Sequence, residues 1–366
     1  MSYPGFATLE GTSRYRDRFS SLCAKDHFRE IGEVWLSSIG VGTYLGKPDD
    51  PTDEAVARAI VQSVQNGVNV LDTAINYRWE RGEKSVGQAL ERLIGSGEIH
   101  RDEILVCTKG GFLPQSLGAQ WYAKQFGKGG KGIGMDDLVA GCHCMHPEYL
   151  SNQLECSLKN LGLKTIDLYY IHNPETQLGK VNDHTFYERL ALAFEFLESA
   201  VEEGKIKNYG LATWKAFRLP EKNRQSISLA QVKNLARQSA GRGNDHFRFI
   251  QIPLSLAMPE AVFMPTQRIG DKLLPAIGAA GKLNIFPIAS GSIGQGEALS
   301  LAEKLKPRPG SVLTHPAQRA LQFTRSAPGL ATALIGMKQP NHVQQNLELC
   351  KKPLLEPERF QALLKK

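Results

Sequence analysis

Cysteine is scarce in this chain, with 6 residues in 366, too few for a disulfide scaffold at this length. Cys107, Cys156 and Cys350 fall in or beside expected strands and helices, and all six read as reduced thiols. No apolar stretch reaches the roughly 18 residues that a membrane span needs. The opening MSYPGFATLEGTSRYRDRF lacks the basic-then-apolar pattern of a secretory signal. Low-complexity tracts and long linkers are missing too, and the Lys and Arg residues are dispersed rather than gathered into a stripe. These absences argue against membrane and nucleic-acid partners and place the chain in the cytoplasm. The net charge of +7 suits an anionic ligand.

What is present fits one large α/β domain, with 42% hydrophobic and 22% charged residues. Residues 1–27 read as an N-terminal extension and 28–366 as a single domain. After a hairpin at FREIGEVWL (28–36), apolar runs suited to strands recur at 37–43, 67–72, 103–109, 165–172, 207–213, 247–253, 283–289 and 330–336. Runs of this kind, rich in Val, Ile and Leu, are strands buried on both faces. Helices are expected between them at 53–66 (capped by Asp53), 83–94, 147–161, 186–203, 228–239, 271–280 and 314–325. Eight strand–helix steps match a closed (β/α)8 barrel, whose reactive end lies at the carboxyl ends of its strands. An open doubly wound sheet is the rival. It would carry G-x-G-x-x-G after its first strand, and SIGVGTYLG (38–46) does not match.

Asp72, Lys109 and His172 each end one of these runs, and parallel strands would bring them to one mouth. Tyr77 follows Asp72 by five residues in DTAINY, on the loop crossing that mouth. A tyrosine hydroxyl, with an ordinary pKa of about 10, is a weak acid at neutral pH, and Lys109 is expected to lower it. Asp72 would hold Lys109 charged, and His172 would hydrogen-bond a substrate oxygen. The set suits carbonyl reduction, in which hydride reaches carbon and Tyr77 protonates the developing alkoxide.

The segments GVNVLDTAINY (67–77), ILVCTK (104–109), LKNLGLKTIDLYYIH (158–172), EEGKIKNYGLAT (202–213) and IGMKQPNHVQQN (335–346) together resemble the aldo-keto reductase superfamily. That resemblance implies a (β/α)8 barrel, a nicotinamide cofactor held without a Rossmann domain, and the tetrad Asp72, Tyr77, Lys109 and His172. It also implies that Ala212 and Thr213 stand where a Ser-Asn pair usually holds the carboxamide, so one polar contact is lost. Gln251 matches the carboxamide-binding glutamine, and Ile288 stands where an aromatic residue commonly stacks on the ring. The small residues of ASGSIGQG (289–296), among them Ser290, Ser292 and Gly294, can bring backbone N–H groups to a pyrophosphate. Gly336 ends the eighth strand. Lys338 and His342 are implied at the 2′-phosphate, with Gln345 and Asn346 at adenine, which favours NADP(H) over NAD(H).

Two clusters look chemical and are read otherwise. Cys142, His143, Cys144 and His146 lack the spacing of a structural zinc site, so no metal is expected. GKGGKGIG (127–134) is not a phosphate loop and reads as a mobile loop. Asp102 reads as a turn former and Asp167 as a strand-edge residue. The long segment from Gly110 to His146 leaves the reactive mouth, and Phe112, Trp121, Tyr122 and Phe126 with glycine hinges suggest a lid over the substrate. The expected function is an NADP(H)-dependent oxidoreductase interconverting a small aldehyde or ketone with its alcohol. The alternatives are a cofactor-sensing regulatory subunit and a sugar dehydrogenase.

Overall fold

The computed structural model describes residues 2–128, 132–241, 243–304, 313 and 315–364; Gly129, Gly130 and Lys131, in the glycine-rich stretch, lie outside them. A hairpin of β1 (Phe28–Ile31) and β2 (Val34–Ser37) leads into β3 (Ile39–Gly42), β4 (Val70–Asp72), β5 (Leu105–Gly110), β6 (Ile166–His172), β7 (Ile206–Ala212) and β8 (Phe247–Pro253). A second hairpin, β9 (Gln267–Ile269) and β10 (Lys272–Leu274), precedes β11 (Phe286–Ser290) and β12 (Thr332–Gly336). Strands β3 to β8, β11 and β12 pair in parallel and close into an eight-stranded barrel, the (β/α)8 architecture read from the sequence.

Burial follows the apolar runs. Ile166, Leu168 and Ile171 of β6 are fully buried, each contributing about 1.5–3 kcal/mol of transfer free energy. Leu36, Val70, Leu105, Leu168, Tyr170, Phe249, Ile288 and Leu334 fill the barrel interior, and Ile31 and Val34 of the first hairpin pack on them. That hairpin closes the end where the strands begin, which leaves the carboxyl end for a ligand.

The helix expected at 53–66 is Asp50–Val64 instead, because the Asp49 side chain accepts the Thr52 N–H at 3.0 Å and Pro51 starts the first turn. Asp53 therefore sits inside the helix, where it pairs with Arg78 and Arg81. Where a helix was expected over 271–280, Gly270 (φ 57°) turns β9 into β10 and the helix is Ala276–Lys282. The N-terminal residues include a helix, Leu9–Arg18, whose buried Tyr15 donates to the Val68 carbonyl at 3.1 Å. Asp167, the second residue of β6, is also a buried anchor: it accepts from Arg101 at 2.6 Å and from the Val106 N–H at 2.7 Å. Asp102, at an expected turn, also pairs with Arg14 at 2.7 Å.

Candidate active site

The expected tetrad meets at the carboxyl end of the barrel. Lys109 Nζ donates to Asp72 Oδ1 at 2.6 Å and to the Thr73 carbonyl at 2.7 Å, with its side chain wholly buried. The other Asp72 oxygen accepts from Gln251 Nε2 at 2.7 Å, so the glutamine expected at a carboxamide also braces the carboxylate. Lys109 Nζ stands 4.8 Å from the centre of the Tyr77 ring, and that ring meets His172 edge to face with centres 5.8 Å apart.

The electrostatics differ from the sequence expectation in one sign. Burial works against the Lys109 ammonium, but Asp72 and Tyr77 outweigh it and raise its pKa. Burial lifts the Asp72 carboxyl, opposed by Lys109 and Gln251. The Tyr77 hydroxyl is raised, not lowered: burial disfavours the phenolate more than Lys109 favours it, and Asp72 offsets part of the lysine's charge. Burial first, then Lys109 and His143, holds His172 well below its ordinary value. At neutral pH the site therefore presents a protonated tyrosine and a neutral imidazole.

These groups border a cavity of about 640 Å³ whose wall includes Asp72, Tyr77, His172, Thr213, Gln251, Ser290, Ser292, Gly336, Lys338 and His342. Lys109 lies behind the Tyr77 ring. Thr213 Oγ1 and His172 Nδ1 are buried without a hydrogen-bond partner among the described residues, as is Asn76 Oδ1 in the same wall. Unsatisfied buried polar atoms are costly, and a polar ligand in the cavity would relieve them. The wall also carries Lys338 and His342, for neither of which an ion pair is found among the described residues. A donor set of this kind fits an anionic ligand that also carries an amide.

Several assigned residues take other places. Gly294 is outside the wall, because its N–H closes a tight turn on the Gly291 carbonyl at 2.7 Å; Gly291 and Gly296 line the cavity in its stead. Ser292 spends its hydroxyl on the Leu334 carbonyl at 2.7 Å. Gln345 and Asn346 follow His342 by three and four residues on the helix Pro340–Leu347, about one turn on; they are outside the wall of this cavity, and Gln345 borders a neighbouring depression with His315 and Gln318. Ile288 is buried in the barrel interior rather than in the wall.

Sequence reasoning passed over Tyr44, Asn76 and Trp214, all in the wall. Tyr44 packs against Tyr77 with ring centres 5.0 Å apart. The buried Glu175 carboxylate accepts the Trp214 and Lys215 N–H groups at 2.7 and 2.9 Å, which fixes the loop beneath Trp214. An aromatic directly after Thr213 was the available signal. Among its described residues, the expected lid folds on a small core of its own: Leu113, Tyr122, Ile133, Leu138 and Cys144 pack on Tyr149, with Trp121 and Phe126 against them. Only Phe112 of its four aromatics lines the cavity. The Cys-His cluster is used within this unit, where Cys144 accepts from Tyr122 at 3.4 Å and His146 caps the helix Pro147–Leu161.

Comparison with known proteins bears on the family and the fold. A model of the Aldo/keto reductase family matches residues 38–235. An NADH-specific methylglyoxal reductase of Escherichia coli is 27% identical over 194 residues, 52% of this chain and 52% of that protein. The chain spans about half the length of the first curated relatives it matches. A candidate voltage-gated potassium channel subunit beta of Schizosaccharomyces pombe is 22% identical over 339 residues, covering 88% of this chain and 87% of that one. The crystal structure of an aldo/keto reductase from Klebsiella pneumoniae with NADP and acetate superposes with a TM-score of 0.59 at 18% identity, over 93% of this chain and 95% of the other; at that identity the likeness speaks for the fold. With its matched segment spanning more than half of its length and its strands closing the expected barrel, the chain belongs to the aldo/keto reductase family.

Proposed function

We propose that this protein is an NADP(H)-dependent reductase that interconverts an aldehyde or ketone with its alcohol. One observation carries the reading: Tyr77 lies against the buried Lys109–Asp72 pair and beside a neutral His172, at the wall of a cavity that also holds Lys338 and His342. Bound in that cavity, the reduced nicotinamide would supply a hydride to the carbonyl carbon. Thr213 and Gln251 would hold its carboxamide, Lys338 and His342 the 2′-phosphate, and Ser290, Ser292, Gly291, Gly296 and Gly336 would border it. Tyr77 donates its proton to the carbonyl oxygen, and Lys109 stabilises the phenolate left behind. His172, uncharged, hydrogen-bonds the same oxygen. A panel of aldehydes and ketones tests the reading, with NADPH consumption expected for at least one and no consumption contradicting it.

The pH dependence follows from the two shifts. Reduction needs Tyr77 protonated, and its raised pKa keeps it so throughout the neutral range; His172, lowered, is already neutral there. kcat/KM for the carbonyl at saturating NADPH should therefore stay level from about pH 6 to about pH 9. A step near the ordinary histidine value would contradict the assignment of a neutral His172.

Cofactor preference rests on Lys338 and His342, since the name of the Escherichia coli relative specifies NADH. Lys338→Ala should weaken NADPH binding by about 1–3 kcal/mol, the size of a charge-assisted contact, and leave NADH nearly unchanged. Equal losses in titrations with the two cofactors would remove Lys338 from the 2′-phosphate. A second reading, a cofactor-sensing regulatory subunit, draws on the Schizosaccharomyces pombe relative. Slow turnover with tight NADPH retention and a stable protein partner would favour it.

A further inference from the structure

His143 lies outside the reaction just described, yet it is fully buried directly beneath it. Its Nε2 is 2.9 Å from the His172 carbonyl oxygen, and its Nδ1 is 3.2 Å from Gln177 Nε2. The Gln177 amide is itself oriented, because Arg189 Nη1 donates to Gln177 Oε1 at 3.0 Å. Gln177 must then offer N–H to His143 Nδ1, which leaves Nε2–H as the donor to the His172 carbonyl. Arg189 is held in turn by the Asp136 carbonyl at 3.0 Å and the Asp137 carboxylate at 3.4 Å, both within the Gly110–His146 segment. Burial pushes the His143 imidazole down to about 4, in keeping with this single neutral tautomer.

The His172 carbonyl is a sensitive place to hold. Asn173 follows in the left-handed region (φ 43°), so the chain leaves the barrel abruptly, with the Asn173 N–H tied to the Ala212 carbonyl at 2.6 Å. Because His172 Nδ1 has no partner among the described residues, backbone position and ring packing set its orientation. The same insertion supplies that packing: Phe112 meets both His143 and His172 edge to face, with centres 5.0 and 5.2 Å apart. Gly111 is needed for the approach, since a Cβ there would stand 2.9 Å from His143 Nε2.

We propose that His143 is a positioning residue for His172, and that the Gly110–His146 segment serves catalysis through this buried chain of hydrogen bonds rather than as a lid. The proposal rests on reading His172 as the group that holds the substrate oxygen. His143→Leu removes the donor at similar volume. It should lower kcat about tenfold or more, within the range a misplacement of about 1 Å can cause, while leaving the NADPH dissociation constant unchanged. His143→Gln should recover most of the loss, because its amide N–H can reach the His172 carbonyl while its oxygen accepts from Gln177. Gln177→Leu, away from the cavity wall, should lower kcat in the same direction, and serves if His143→Leu does not fold.

Melting temperature separates positioning from general damage: the Gln variant must regain turnover beyond any change in stability. Wild-type kcat in both His143→Leu and Gln177→Leu overturns the proposal, as does a Gln variant no better than Leu at equal stability. If His172→Ala impairs carbonyl reduction while the His143 variants do not, the positioning role alone fails. A wild-type protein that reduces no carbonyl overturns the positioning role together with the reading of the site.

Discussion

Tyr77→Phe is expected to leave the fold and cofactor affinity in place and to cut carbonyl turnover by about 100-fold or more, the contribution of a general acid. The substitution removes one oxygen and keeps the ring that packs on Tyr44, His172 and Lys109. The loss should therefore fall on kcat, with NADPH binding as the control. The group is suited to the role because it stays protonated: burial holds the hydroxyl's pKa up against the pull of Lys109. Proton transfer becomes favourable as charge develops on the carbonyl oxygen, when the adjacent ammonium can stabilise the phenolate. Near-normal turnover in the phenylalanine variant would remove Tyr77 as the acid.

Lys109→Met should damage both activity and stability. Without the ammonium, Asp72 would remain at 3% exposure with Gln251 as its side-chain partner, and breaking a buried ion pair from one side costs about 3–5 kcal/mol. The sign of the pH dependence follows. Burial already raises the folded-state pKa of Asp72, and loss of Lys109 raises it further above the unfolded value of about 3.9. The folded variant then binds a proton that the unfolded chain releases, so its deficit should be largest near neutrality and shrink on acidification toward that value. Asp72→Asn combined with Lys109→Met should recover much of the stability but not the turnover. Urea unfolding at two pH values checks this, and a single variant as stable as wild type at neutral pH would contradict the pairing.

The barrel was legible because its strands are continuous apolar runs. In β6 the sequence IDLYYIH announces burial on both faces, and helix boundaries were readable where end signals were strong, as at Pro147 and the left-handed Gly162 around the preceding helix Pro147–Leu161. The helix Leu9–Arg18 was not legible, since LEGTSRYRDR is nearly all polar and what it buries is Gly11, Thr12 and Tyr15. The tetrad could be placed because three strand ends and a five-residue step suffice to bring its members together. The sign of the Tyr77 shift could not, because it depends on the depth of burial and on how closely Asp72 offsets Lys109. Gly294, Gln345 and Asn346 illustrate a further limit: the resemblance implied them at the cofactor, but which residues border one cavity also depends on local turns, such as the one the Gly294 N–H closes on the Gly291 carbonyl.

Hydride transfer is tested most directly with NADPH deuterated at the reducing position of the nicotinamide, given to the wild-type protein with a carbonyl compound from the panel. The expected product is an alcohol carrying the label on its carbinol carbon, formed about 100-fold more slowly or worse by Tyr77→Phe at equal cofactor occupancy. Alcohol without the label, or NADPH that stays bound and unconsumed beside every carbonyl offered, would contradict a reductase working through this site.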